Sequence, residues 1–122
     1  YDFSVCLVGS ELCKRQDYDA VIFVGGPGAR ALADTEAATK LAKDAEYKVL
    51  GALGLGVAVL ARAGVVKGKR LTGDPVAAAS VLEQGGTYTA QPIEVSDKTV
   101  TARGRRYAEA FAQAVLRVLA TK

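Results

Sequence analysis

The chain lacks histidine, methionine and tryptophan altogether, and only two of its 122 residues are cysteines. Without histidine, the residues that complete most zinc sites are missing, so no metal centre is expected, and no cofactor is indicated. Cys6 and Cys13 do not have the dense spacing of a disulfide-stapled secreted chain. A reducing compartment, the cytoplasm, is therefore the expected location.

Long apolar runs and a secretion signal are missing as well. No stretch approaches the roughly 18 apolar residues of a membrane span, and residues 1–3 do not begin a leader, so no membrane contact is expected. Half of the residues are apolar, which is enough for one domain with a real core over residues 1–122. The first residue is tyrosine and not methionine, which is compatible with a longer protein of which this chain is one part.

Negative charge is scarce near the end of the chain, so this segment is basic although the net charge of the whole chain is only +3. In residues 98–122 a single acid, Glu109, stands against Lys98, Arg103, Arg105, Arg106, Arg117 and Lys122. Nucleic-acid surfaces combine such charges with exposed aromatic residues, whereas Tyr107 and Phe111 have the spacing of a helix core. A solvated basic face is favoured, and nucleic acid is not expected as a partner.

Short apolar runs alternate with helical patterns, which predicts an α/β fold with a mainly parallel sheet and helices on both faces. The predicted strands are Phe3–Val8, Ala20–Val24, Lys48–Leu53 and a hairpin of Ile93–Val95 with Thr99–Thr101. The predicted helices are Thr35–Ala45, Val57–Ala63, one that begins at Asp74-Pro75 and stops at Gly85-Gly86, and Tyr107–Leu119. Asp74 is expected to cap its helix, and Gly64 to end another in the left-handed conformation.

Two glycine-rich turns follow neighbouring strands of the predicted sheet. Gly25-Gly26 comes after Ala20–Val24, and Gly54-Leu55-Gly56 comes after the next strand. Ligands of open parallel sheets collect at the carboxyl ends of the strands, where such turns admit backbone amides. We therefore expect Gly25, Gly26, Gly54 and Leu55 to bind a small ligand at this rim, with Arg103 as a candidate for an anionic group.

Other interpretations of these residues are weaker. Gly51, Gly54 and Gly56 resemble the start of a dinucleotide fingerprint, but Val59 stands where its third glycine would fall. Cys13 lies beside two basic residues, which favours a thiolate, but no histidine accompanies it. For Arg103, a structural salt bridge is the more ordinary role.

The stretches Tyr18–Gly28, Val59–Gly64 with Lys67–Arg70, Thr72–Pro75, Gly85–Tyr88 and Thr101–Gly104 follow one another in the chain. Together they resemble the ThiJ/PfpI superfamily of class I glutamine amidotransferase-like proteins, which includes intracellular peptidase-like, glyoxalase-like and chaperone-like members. The resemblance covers nearly everything after Tyr18. It implies a flavodoxin-like, Rossmann-like fold, roles in stress response and a dimer.

The expected function follows from the positions at which this sequence differs from the family's pattern. Its turn after the third core strand usually reads Cys-His-Gly, and the resemblance places Gly54 at the nucleophile position and Leu55 at the histidine position. Asp74 stands where a further histidine is common. Glycine offers no atom for thiolate chemistry, so a non-catalytic domain with a binding, sensing, chaperone-like or assembly role is favoured. The alternative is a glyoxalase-, deglycase- or peptidase-like enzyme whose active residues lie in a missing segment or a partner chain.

The family's opening strand-helix segment, which carries a conserved acid, has no counterpart ahead of Phe3–Val8. That opening strand normally lies beside the strand that ends in Gly-Gly, so without it Ala20–Val24 is expected to be an open apolar edge. A lost N-terminal segment, a second copy of the chain or another protein is expected to cover that edge. Without such a cover, the chain is not expected to persist as a folded monomer.

Overall fold

The computed structural model describes residues 5–8, 18–24 and 36–121. Seven strands are found in this part of the chain: β1 Val5–Val8, β2 Ala20–Val24, β3 Val49–Leu53, β4 Arg70–Leu71, β5 Thr87–Tyr88, β6 Ile93–Ser96 and β7 Thr99–Ala102. Its helices are α1 Glu36–Asp44, α2 Val57–Arg62, α3 Ala78–Glu83 and α4 Ala108–Thr121. Short 3-10 turns, Gly54–Gly56, Pro75–Ala77 and Arg105–Tyr107, lead directly into α2, α3 and α4.

The main sheet has five strands in the order β1-β2-β3-β7-β6. The first four run parallel, and β6 pairs antiparallel with β7 as the second arm of a hairpin. In the register, Val24 lies beside Leu53, and Leu53 lies beside Ala102. The carboxyl ends of β2, β3 and β7 therefore stop at one level and form a rim.

Helices cover both faces of this sheet, as the apolar pattern predicts. On one face, Val21, Phe23 and Leu50 pack with buried residues of α1, α2 and α3. On the other face, α4 places Phe111, Ala114, Val115 and Leu119 against the opposite side of β2, β3 and β7. The fold is thus a three-layer α/β arrangement in which β2, β3 and β7 are buried on both faces.

A small second sheet, formed by β4 and β5 in parallel, is absent from the sequence-based prediction. Two-residue strands are too short to leave a pattern, so only the folded chain shows them. This sheet lies against the hairpin through polar contacts: the amide of Thr72 donates to Thr101 Oγ1 at 3.0 Å, and Arg70 pairs with the buried Glu94 at 3.2 Å. These contacts fix the segment that begins at Gly73, which borders the rim.

Several local predictions are confirmed. Gly64 has φ +75° after α2, and the amide of Val65 donates to the Leu60 carbonyl at 3.2 Å. Asp74 Oδ1 accepts the amide of Val76 at 2.9 Å, and Pro75 occupies the next position. The hairpin turns at Asp97 in the left-handed region, with φ +54°. The predicted bounds agree with the observed ones within two residues, except that α3 begins at Ala78 after the 3-10 turn Pro75–Ala77, and that Phe3 lies outside the described residues.

The expected open edge at Ala20–Val24 is wrong. Val5–Val8 pairs in parallel with β2, from Val5 beside Ala20 to Val8 beside Phe23, so β2 has a neighbour on each side. From the sequence, Phe3–Val8 was not expected to lie beside β2, and that position in the sheet was expected to be empty. In the structure the same residues fill that position, and the unpaired amides on which the expectation depended have partners.

Amide hydrogen exchange of the 122-residue chain tests this strand order. In a parallel strand, the amides of successive residues point alternately to the two neighbours, so Val21–Val24 should all be protected when both β1 and β3 are paired. Protection of only every second amide would mean that the β1 pairing does not persist in solution. The amides of β3, which has β2 and β7 as neighbours, serve as the internal reference for full protection.

Candidate functional site

The turn after β3 is the centre of the rim. Gly54 follows Leu53 directly and has φ +62°, a left-handed conformation that costs other residues about 1 to 2 kcal/mol. The 3-10 turn Gly54–Gly56 then passes without a break into α2. Such a sharp strand-to-helix turn is the arrangement by which α/β folds present a nucleophile, and here it carries a glycine.

Space for a side chain remains at this turn. A Cβ added to Gly54 would lie 3.8 Å from Gly104 Cα and 4.0 Å from the Arg103 carbonyl oxygen, which are ordinary contacts. Glycine is therefore favoured here by its backbone conformation and not by crowding. The residue itself is buried, whereas Leu55 beside it is partly exposed.

Close backbone packing holds the turn in place. A Cβ added to Gly56 would lie 2.1 Å from the Phe23 carbonyl oxygen, so α2 begins in direct contact with the backbone of β2. A Cβ on Gly73 would lie 2.6 Å from Val57 Cγ2 and 3.0 Å from the Gly54 carbonyl oxygen. The turn after β3 therefore packs directly against β2 on one side and against the segment after β4 on the other.

Hydrogen bonds tie the same segments together. The Asp74 amide donates to the Gly54 carbonyl at 3.2 Å, and the Tyr88 hydroxyl donates to the Gly73 carbonyl at 2.8 Å. The Arg103 amide donates to the Pro92 carbonyl at 3.0 Å. The rim therefore has a fixed backbone, built from the ends of β3 and β7 and from the segment after β4.

The structure brings together three of the residues predicted to bind a ligand. Gly54 and Leu55 follow β3, and Arg103 follows the neighbouring β7. Gly25 and Gly26 lie outside the described residues, but Val24, which precedes them, is level with Leu53. The Arg103 side chain is exposed and makes no ion pair with any described residue, so the ordinary structural role does not apply within this part of the chain. Ligand binding by these residues stays a prediction.

Sequence reasoning missed Gly73, Tyr88 and Gly104 as parts of the site. Gly73 precedes the predicted helix cap, which is a weak signal for close packing. The Tyr88 contact spans 15 positions and depends on the small sheet. Gly104 has an extended backbone that any residue can adopt, so its position gives no sequence signal.

The chemistry available at this rim is limited. The chain has no histidine, and the turn itself offers a glycine and a leucine where catalysis needs a nucleophile and a base. Among residues 18–24 and 36–121, no group of three acidic or cysteine side chains is close enough to hold a metal ion. In the same part of the chain no helix is long and apolar enough to cross a membrane.

Comparison with known families supports the sequence resemblance. A sequence model of the DJ-1/PfpI family matches residues 4–118, nearly the whole chain. An uncharacterized protein of Methanocaldococcus jannaschii is 33% identical over 108 residues, which cover 84% of this chain and 53% of the relative. The chain thus spans about half the length of this curated relative.

Solved structures show the same fold. A ThiJ/PfpI domain protein from Brachyspira murdochii superposes with a TM-score of 0.81 at 30% identity, over 87% of this chain and 62% of the other. DJ-1 of Schizosaccharomyces pombe gives a TM-score of 0.72 at 25% identity, over 82% of this chain and 54% of the other. In both cases a large part of the other protein has no counterpart here.

Alanine substitutions at three rim glycines should separate conformation from crowding. Gly54→Ala should lower the free energy of unfolding by about 1 to 2 kcal/mol because of its left-handed φ. Gly56→Ala should cost more than about 3 kcal/mol or prevent folding, since its Cβ would meet a backbone oxygen. Gly104→Ala, where no atom lies within 4 Å, is the control and should change the stability by less than about 0.5 kcal/mol. Chemical denaturation measures all three, and equal losses would contradict the described turn.

Proposed function

The chain belongs to the DJ-1/PfpI family, and we propose that within this family it is a non-catalytic member that binds a small ligand at the rim of its sheet. The observation that carries the proposal is the turn at Gly54. Its left-handed backbone is the one that presents a nucleophile in folds of this kind, but its side chain is absent. The turn thus has the backbone shape of a nucleophile turn but no reactive side chain.

Ligand binding is supported by what the turn still offers. The space beside Gly54 is bounded by Gly104 and the Arg103 carbonyl, and Leu55 adds a partly exposed apolar side chain. Many small-molecule sites combine backbone groups with a few apolar and charged side chains, and Leu55 and Arg103 supply one of each at the ends of neighbouring strands. We further propose that the chain acts in the cytoplasm as a dimer, in a sensing or assembly role.

The alternative is an enzyme whose reactive groups come from another segment or chain. One observation favours it: this chain covers only 53% to 62% of the relatives described above. Residues supplied from elsewhere would have to reach the space beside Gly54, because the chain has no histidine of its own. The two functions differ in turnover, which can be measured directly.

The 122-residue chain should show no cysteine-dependent turnover of a dicarbonyl compound or a peptide. The Cys6→Ser, Cys13→Ser double variant is the matched control, since it removes every thiol of the chain. Equal background rates for both proteins are expected, because no thiol stands at the turn. Turnover that the double variant abolishes would contradict the proposal, and turnover that survives in it would favour an enzyme of another kind.

Restoring the reactive pair tests whether the turn keeps its geometry. In the Cys6→Ser, Cys13→Ser background, Gly54→Cys with Leu55→His should give a thiol whose pKa lies below the ordinary value of about 8.5, because a neighbouring imidazolium favours the thiolate. The rate of alkylation against pH gives the pKa. Ser80→Cys, at an exposed position of α3, is the control and should titrate near the ordinary value. An unshifted pKa at position 54 would show that the site geometry is lost.

A further inference from the structure

The segment formed by α3 and the 3-10 turn before it has an apolar outer face. Its inner face is marked by Ala77 and Val81, which lie in the core. On the outer face, Val76 and Leu82 are 59% and 60% exposed, and Ala79, midway between them, is exposed as well. Residues three positions apart are neighbours on a helix surface, so these three side chains form one row, which we call the α3 surface.

An apolar row of this kind is unusual for an exposed helix. No charged residue lies between Asp74 and Glu83, at the two ends of the segment. The other large apolar side chains that are exposed in the described part of the chain belong to different parts of the fold, Tyr47 before β3, Val95 in β6 and Leu116 in α4. Single exposed apolar side chains are ordinary, whereas a contiguous group marks an interaction surface.

The order of residues on the α3 surface fits a second copy of the same surface. Val76 precedes Ala79 by three positions, and Leu82 follows it by three. When two such segments lie antiparallel with their Ala79 residues opposed, each Val76 lies beside the partner's Leu82. A small side chain at the crossing point lets the two helix axes approach closely. The surface is thus complementary to itself, as a two-fold interface requires.

The charges around the α3 surface favour the same antiparallel arrangement. Asp74 lies five positions before Ala79 and Gly85 lies six positions after it, so both are about 8 to 9 Å from Ala79 along the helix. Lys67 is exposed, and its Cγ lies 3.3 Å from the point where a Cβ of Gly85 would be. In an antiparallel pair, the partner's Lys67 therefore lies level with the partly exposed Asp74. A parallel pair would instead bring the two Asp74 residues together and the two Lys67 residues together.

We infer that the α3 surface joins two copies of this chain, packed antiparallel about Ala79. This inference rests on the dimer proposed above and names its contact surface. The Asp74 amide donates to the Gly54 carbonyl at 3.2 Å, so each half of the interface begins at the rim of its own copy. Because the apolar centre is small, the contact belongs to the weak end of protein interfaces, and a dissociation constant on the order of 10 to 100 µM is expected.

Sedimentation of the 122-residue chain between about 1 and 500 µM tests the inference. A monomer that converts reversibly to a dimer is expected. Leu82→Glu should weaken the dimer at least about tenfold, because it places two like charges in the apolar centre. Leu116→Glu is the matched control, since it makes the same change at another exposed leucine, and it should change the affinity less than about twofold. Unchanged unfolding midpoints verify that both variants are folded.

Disulfide formation tests the antiparallel arrangement. In the Cys6→Ser, Cys13→Ser background, Ala79→Cys places two thiols at the crossing point, within the Cα separation of about 4 to 7 Å that a disulfide spans. Mild oxidation should then give a covalent dimer. Ala112→Cys, at an exposed position of α4, is the control and should remain monomeric under the same conditions.

The contrary results separate the α3 contact from the proposed function. A dimer that Leu82→Glu leaves intact, or that both leucine variants weaken equally, would overturn the α3 contact while the proposed dimer stands. Cross-linking through Ala112→Cys and not through Ala79→Cys would do the same. Assemblies that grow beyond a dimer would show a contact that does not close, contrary to a two-fold interface. A chain that stays monomeric up to about 500 µM would contradict both the α3 contact and the dimer, but not ligand binding at the rim.

Discussion

The contact between the start of α2 and the backbone of β2 is the constraint on which the rim depends. At Gly56 the two backbones approach so closely that a Cβ would lie 2.1 Å from the Phe23 carbonyl oxygen. This contact leaves the chain no room for a gradual exit from β3, so the reversal is completed at Gly54, with φ +62°. The position of α2, the buried face of β2 and the turn of the candidate site thus follow from one close approach.

A residue other than glycine at position 54 would destabilise the fold, because its backbone would have to adopt the left-handed conformation. Such a residue is expected there only where its side chain has a function. The cost is about 1 to 2 kcal/mol, out of a stability that for a whole domain is about 5 to 15 kcal/mol. A cysteine nucleophile would justify it, since the strained turn exposes the reactive atom. Once no nucleophile is needed, glycine removes the strain and leaves the backbone unchanged. In the non-catalytic member proposed above, glycine at position 54 would keep the shape of the turn without a reactive atom.

The sequence predicted those parts of the fold that depend on local chemistry. Burial on both faces produced the continuous apolar run of Ala20–Val24, and the cap at Asp74 and the stop at Gly64 depend on residues one or two positions away. The place of β1 and the existence of β4 and β5 were not predictable in this way, because pairing between distant segments decides them. For the site, Gly54, Leu55 and Arg103 could be named from the ends of their strands, whereas the roles of Gly73 and Tyr88 required the fold.

The described rim comes from a part of the chain that can form it without the rest of the relatives' length. Its pieces are the ends of β2, β3 and β7, the segment after β4, and Tyr88, and all of them lie within residues 4–118, which match the family. They are joined by backbone and hydroxyl hydrogen bonds inside that range, from Asp74 to Gly54, from Tyr88 to Gly73 and from Arg103 to Pro92. A segment or partner that joins this chain would therefore meet a preformed surface. It could cover the space beside Gly54 or add a reactive group to it, but it would not be needed to create the turn.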